Sequence, residues 1–199
     1  MVERSVTVAV VPVETDSTCA IAASYEAKAF GVRTGTPIYD AKKMCPGLIC
    51  VPARHELYVE YHHRVIAEVD KHIPIEAVCS IDEVACRLMK NEASVEAATA
   101  IARAIKRGLK ANVGEYIRCS IGIAPNKLLA KMSSELQKPD GLTILTMNDV
   151  PARIWPLAVN KLPGVGPVTN AILMRNVVRA AKAQAEATTH HLRPLAVVR

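Results

Sequence analysis

Ser120-Ile121-Gly122-Ile123-Ala124-Pro125-Asn126-Lys127-Leu128-Leu129-Ala130-Lys131 reads as a strand, a tight turn and a helix. The strand is expected to run from Tyr116 to Ile123, because Ile117, Cys119, Ile121 and Ile123 alternate with Arg118, Ser120 and Gly122. Pro125 and Asn126 lead into a helix expected to reach about Gln137, ended by Pro139 and Gly141. Leu128, Leu129, Met132 and Leu136 take one side of that helix. Lys127, Lys131 and Lys138 fall near one another on the other side, with Ser134 between them. A lysine row opposite an aliphatic row is the ordinary form of an amphipathic helix. Lys138 differs because it precedes Pro139, where the helix must stop. A lysine there can swing into a cleft and meet a phosphate.

The same alternation of short strands and helices extends in both directions. Ser5 to Val13 is valine-rich and predicts a buried strand. Cys19 to Ala23 is a second apolar run, after which Ser24 is placed to cap a short helix. Gly31, Gly35 and Pro37 break the chain before another short helix at Ile38 to Met44. His55 to His72 carries Leu57, Tyr61, Val65 and Val69 on one stripe and predicts a longer helix. Val78 to Leu88 is strand-like around an acidic pair. Ser94 then caps a helix whose apolar face is Val95, Ala98, Ile101, Ala102, Ile105 and Leu109. Leu142 to Leu145 predicts a last strand, and beyond Arg179 the chain turns Ala-rich, then polar and basic. The mixture defines an α+β protein.

Composition narrows the classes. The 199 residues suffice for one ordinary domain or two small ones. Half are hydrophobic but only 4% are aromatic, so the core must be aliphatic. The formal charge of +6 biases the chain mildly toward a polyanionic partner without requiring one. Six cysteines occur with no CxxC pair, which predicts reduced, mostly buried thiols of a cytoplasmic protein. No apolar stretch approaches the roughly 20 residues that span a bilayer, and no membrane partner is expected.

Four segments carry chemistry. In Ser80-Ile81-Asp82-Glu83, two adjacent carboxylates interrupt an apolar segment. Strand neighbours point to opposite faces, so the two acids reach one metal together only where the strand ends, bends or bulges. A divalent cation would offset the cost of charge there, and a solvated strand edge would serve as well. In Ser24-Tyr25-Glu26-Ala27-Lys28, a tyrosine hydroxyl and a lysine one turn apart can hold an anion from one side. The third segment is the strand-turn-helix of residues 120–131. In Leu162-Pro163-Gly164-Val165-Gly166, the glycines fit the hairpin of a helix-hairpin-helix, where backbone N–H groups approach phosphate.

In this order, the four segments resemble Y-family DNA polymerases, the DinB/UmuC-like (ImpB/MucB/SamB-type) lesion-bypass enzymes. Ala22 to Gly35 is similar to that family's fingers motif, and Cys79 to Glu83 to its catalytic motif. Cys119 to Gly141 is similar to its SIGIAxNKxLAKxAS…KPxG stretch, and Leu162 to Gly166 to its thumb hairpin. The similarity covers about Ser5 to Leu173.

The resemblance implies a polymerase palm sheet with helices on one face, a small fingers subdomain and a partial helical thumb. The implied boundaries are 1–53 for the fingers, 54–145 for the palm and 146–199 for the thumb with its divergent tail. It implies translesion DNA synthesis, with nucleotidyl transfer from a dNTP to a DNA 3′-end in DNA repair and the SOS response. Asp82 and Glu83 would be the catalytic, Mg²⁺-binding acids of a two-metal site. Tyr25, Lys28 and Lys138 would hold the triphosphate, and Ala22 and Ala23 would face the nascent base pair. Lys127, Lys131, Gly164 and Gly166 would contact DNA. Lys28 stands where the family commonly has arginine, so the bidentate fork is lost.

The family's first metal-binding aspartate lies on a strand ahead of the region matched here, and no aspartate precedes Asp16. On this reading the chain is N- and C-terminally truncated and its metal site incomplete. The DNA-gripping C-terminal domain, with any sliding-clamp contact, is missing. A catalytically inactive DNA-binding or accessory relative is the alternative. A cyclase-like palm is weaker, because the hairpin and basic balance speak against it.

Overall fold

The computed structural model describes residues 6–157 and 195–198. Two compact units divide the chain, Met1–Tyr58 and Val59–Arg199. The first holds a three-stranded sheet of order β2-β1-β3, made of β1 (Val8–Val11), β2 (Ala22–Ala23) and β3 (Ile49–Pro52). β1 runs antiparallel to β2 and parallel to β3. Two short helices, α1 (Tyr25–Ala29) and α2 (Ile38–Met44), accompany it. Ala9, Val11, Ala27, Val32, Ile38 and Ala41 close its core, which is aliphatic as composition requires. Ser24 caps α1 as expected, its hydroxyl accepting from the Ala27 N–H at 3.2 Å.

The division between units falls within α3 (His55–Asp70). The second unit is a five-stranded sheet of order β4-β5-β8-β6-β7. Its strands are β4 (Ile75–Ser80), β5 (Glu83–Arg87), β6 (Ile121–Ala124), β7 (Leu142–Ile144) and β8 (Leu195–Val198). Helices α4 (Val95–Gly108), α5 (Lys127–Leu136) and α6 (Val150–Arg153) complete it. Alternate residues of β5 show its two faces. Val84 and Cys86 join Val69, Ala102, Ile105 and Leu109 in one core cluster, beneath α3 and α4. Ala85 joins Leu129, Ala130, Met132 and Val197 in the other, beneath α5. Helices therefore cover both faces of the sheet, where the resemblance implied one.

Three details differ from the sequence reading. The segment Val78 to Leu88 is not one strand but a hairpin. Ser80 pairs with Glu83 across a turn at Ile81 and Asp82. The strand expected from Tyr116 is confined to Ile121–Ala124. Ahead of it the Arg118 guanidinium donates to the Glu115 and Ile117 carbonyls, and the Lys106 ammonium donates to the Cys119 carbonyl at 2.6 Å. Side chains thus satisfy backbone acceptors that a neighbouring strand would otherwise take. Val95 is half-exposed rather than part of the α4 core face. β3, α6 and β8 have no counterpart in the sequence reading; β8 is drawn from the far C-terminal residues and lies between β5 and β6, antiparallel to both.

All six cysteines are free; Cys45, Cys86 and Cys119 are buried, whereas Cys19 and Cys79 are exposed. Burial pushes the Cys86 thiol up to about 12 and the Cys119 thiol up to about 11. Both are inert at neutral pH. No described helix is long and apolar enough to cross a membrane.

Glu68 is a buried carboxylate on α3, its side chain 3% exposed. Lys71 donates to it at 2.7 Å, and His72 and Asn112 each lie at 3.1 Å. The Lys71 hydrogen bond is the main cause that holds its pKa below the ordinary 4.5, with burial opposing and His72 and Asn112 assisting. A lowered folded-state pKa gives stability that is present above the unfolded value and is lost as pH falls through the folded one. Glu68→Gln should therefore cost about 1–2 kcal/mol at neutral pH, and the gap to the parent should close in acid. Urea melts at pH 7 and pH 3 test this. An equal gap at both would show that the charge of Glu68 contributes nothing.

Candidate functional site

The acid pair sits where the β4–β5 hairpin turns. Asp82 occupies the turn and is exposed; the Ser80 hydroxyl donates to its Oδ1 at 2.6 Å, and its own N–H reaches back to Ser80 Oγ at 3.4 Å. Glu83 opens β5 and shares a face with Ala85, the face that α5 covers. Its side chain is 12% exposed and forms an ion pair with Lys131 of α5. From α3, His62 Nδ1 lies 2.7 Å from the Ile81 carbonyl, so the turn is held from a second side. The sequence condition for two neighbouring acids to act together, a bend between or beside them, is met by this turn.

Helix α5 is positioned by its own caps and by the sheet. Asn126 accepts from the Leu129 N–H at 2.9 Å, which starts the helix after Pro125. Gly122 on β6 lets the helix backbone approach. A Cβ there would meet the Ala130 carbonyl oxygen at 2.0 Å and Ser133 Oγ at 2.2 Å. Lys127 is exposed at the first turn of α5. Lys131, expected on the DNA side, instead turns to Glu83 and is 17% exposed. Lys138 lies past the end of α5 and donates to Glu135 at 2.8 Å.

The loop after Lys138 is gathered by Lys106 of α4. The Lys106 ammonium donates to the Asp140 carboxylate at 2.5 Å and to the Asp140 and Gly141 carbonyls at 2.9 and 3.4 Å. Neither Lys106 nor His62 was singled out from the sequence. Each acts on a backbone carbonyl distant in the chain, which no local pattern encodes.

In the first unit, Tyr25 is the first residue of α1 and Lys28 lies one turn on, its ammonium 4.6 Å from the Tyr25 ring centroid. Both are exposed on one side of α1, with the ammonium over the ring face. Ala22 and Ala23 are β2, paired with Val10 and Ala9. Gly164 and Gly166, with the hairpin from Leu162, lie outside the described residues.

The hairpin offers hard carboxylate oxygens from adjacent residues, the donor type that Mg²⁺ takes. The exposed Asp82 fits that role. Glu83 fits it with its charge already balanced by Lys131. Among the described residues, no group of three or more His, Cys, Asp or Glu side chains converges.

A hairpin with adjacent acids, followed by a strand-turn-helix whose Lys131 pairs with Glu83, is a polymerase-palm arrangement, and comparison with known proteins agrees. Residues 4–135 match the model of the impB/mucB/samB family, and the chain belongs to that family. It is 40% identical over 161 residues to a DNA polymerase IV of Moorella thermoacetica, covering 78% of this chain and 38% of that protein. It is 42% identical over 146 residues to a DNA polymerase IV of Pelotomaculum thermopropionicum, covering 73% of this chain and 36% of that one. Among solved structures, DinB from Sulfolobus solfataricus superposes with a TM-score of 0.72 at 30% identity, covering 89% of this chain and 51% of that one. An insertion ternary complex of Dbh DNA polymerase gives 0.70 at 30%, covering 86% and 50%. The chain spans under two fifths of the length of these two curated relatives and about half of these solved chains.

Proposed function

We propose that the chain is the nucleotidyl-transfer portion of a translesion DNA polymerase, adding a dNTP to a DNA 3′-end opposite damaged bases in the cytoplasm. The observation that supports this best is the β4–β5 turn, where Asp82 in the turn is followed by Glu83 at the start of β5, paired with Lys131 of α5. On this reading residues 1–53 are fingers, 54–145 palm and 146–199 part of a thumb. Asp82 and Glu83 hold Mg²⁺, which when bound supplies charge neutralisation and alignment for phosphoryl transfer. The chain's own groups do the rest. Tyr25, Lys28 and Lys138 bind the triphosphate, and Ala22 and Ala23 leave room over the nascent base pair. Lys127 contacts the DNA backbone with the Gly164 and Gly166 amides, while Lys106 and His62 fix the segments on which Lys138 and Asp82 ride.

The test is primer extension by the 199-residue polypeptide, read beside DNA binding. Asp82 and Glu83 alone would hold Mg²⁺ weakly, so extension should be slow. Asp82→Ala should abolish it while leaving DNA affinity in place. Extension that survives Asp82→Ala would overturn the assignment. DNA binding with no extension in any divalent cation would leave the accessory role.

A further inference from the structure

We propose that Lys131 is a built-in cation that partly occupies the Glu83 carboxylate, weakens divalent-cation binding at the Asp82–Glu83 pair, and so makes that binding conditional on an arriving polyanion. The inference rests on the reading of the pair as a metal site, and goes beyond it in assigning a role to the lysine.

A carboxylate as buried as Glu83 is stable only with a partner. The structure supplies one from inside the fold. Lys131 is itself largely buried, and its neighbours Ala130 and Met132 are core residues. The helix that carries it cannot back away, because it is seated on Gly122 through the Ala130 carbonyl. The ammonium therefore meets Glu83 from a side chain that is mostly covered, on a helix whose backbone is seated on the sheet. A lysine in that position is also withdrawn from solvent phosphates, which removes it from the set of DNA contacts.

The charge count follows. Lys131 carries +1 against Glu83, so the two acids present one negative charge less than they would without it. Affinity of oxygen sites for divalent cations is tuned by ligand charge, so the lysine lowers it. A cation that takes Glu83 must displace the ammonium or sit beside it, and Coulomb repulsion opposes both. A triphosphate brought by its own binding residues adds the missing negative charge. Loading of the cation and of the nucleotide are then coupled through Lys131, each strengthening the other by the same factor.

Manganese titration followed by the electron spin resonance of free Mn²⁺ tests this on the whole polypeptide without DNA or nucleotide. Lys131→Met should bind Mn²⁺ more tightly by on the order of tenfold, since one positive charge leaves contact distance of the ligand. Lys131→Gln, which keeps a neutral donor toward Glu83, should do the same and serves if the methionine variant fails to fold. Lys131→Arg should bind as the parent does. The neutral variants should melt earlier than the parent without metal and recover with Mn²⁺. Unchanged or weaker Mn²⁺ binding in both neutral variants overturns the proposal, as does an absence of binding in parent and variants alike. Binding that ignores Asp82→Ala in the parent and in Lys131→Gln overturns the metal-site reading itself.

Discussion

Gly122→Ala should destabilise the Val59–Arg199 unit by about 3 kcal/mol or more, beyond the usual cost of overpacking a core. The methyl group would lie 2.0 Å from the Ala130 carbonyl oxygen, 2.2 Å from Ser133 Oγ and 2.5 Å from the Ser134 nitrogen. Two of those atoms are helix backbone and cannot rotate aside. The third is tied back, since the Ser133 hydroxyl donates to the Ala130 carbonyl at 2.8 Å. Relief requires α5 to lift from β6, which opens the cluster of Ala124, Leu129, Ala130 and Val197. Against a total stability of roughly 5–15 kcal/mol, that loss leaves a marginal fold. Gly108→Ala is the control. Its Cβ would meet Glu68 Oε1 at 2.1 Å and His72 Nε2 at 2.8 Å, side-chain ends rather than backbone, which yield only by shifting the buried Glu68 network. Alanine in a helix also recovers up to about 1 kcal/mol of propensity. Urea midpoints should fall far for Gly122→Ala and less for Gly108→Ala. A Gly122→Ala protein within 1 kcal/mol of the parent, by the same melts, would show that α5 slides freely over the sheet.

What the sequence disclosed and what it hid divide along physical lines. Caps and periodicity are local, so Ser24, Ser94 and the bounds of α2 could be read directly. The bend at the acid pair was legible because two charges in an apolar segment demand one, and the turn at Ile81 and Asp82 is that bend. Gly122 stood in view within a strand, a position that marks close backbone approach. Only the structure shows that the approaching backbone is the helix that follows it. The Glu83–Lys131 pair joins residues 48 positions apart, and helical spacing alone placed Lys131 in a row with Lys127. β8 was illegible for another reason. Four apolar residues in a basic tail carry no period, and their place between β5 and β6 is set by the gap those strands leave.

Lys106→Met should cost about 2–3 kcal/mol and loosen the loop from Lys138 to Gly141. The Lys106 ammonium, on a side chain 20% exposed, gathers the Cys119, Asp140 and Gly141 carbonyls and the Asp140 carboxylate. The carboxylate is the lesser part, because Asp140 is 44% exposed and such pairs are worth about 0–1 kcal/mol. The carbonyls decide the outcome. Hydrogen bonds from a charged donor contribute about 1.5–3 kcal/mol, and Cys119 is buried, so its carbonyl has little water to turn to. Methionine keeps most of the aliphatic stem, which separates lost hydrogen bonds from lost packing. The loop would retain the Ile121 N–H donating to the Gly141 carbonyl at 3.0 Å and the Gly141 N–H donating to Ser120 Oγ at 3.3 Å. Amide hydrogen exchange should therefore quicken from Asp140 to Leu142 and at Ser120, with α3 unchanged. If the proposed role of Lys138 holds, nucleotide affinity should fall along with that protection. A Lys106→Met protein with parental exchange in the loop and a stability loss below 0.5 kcal/mol would show that the β6–β7 pairing holds the loop without Lys106.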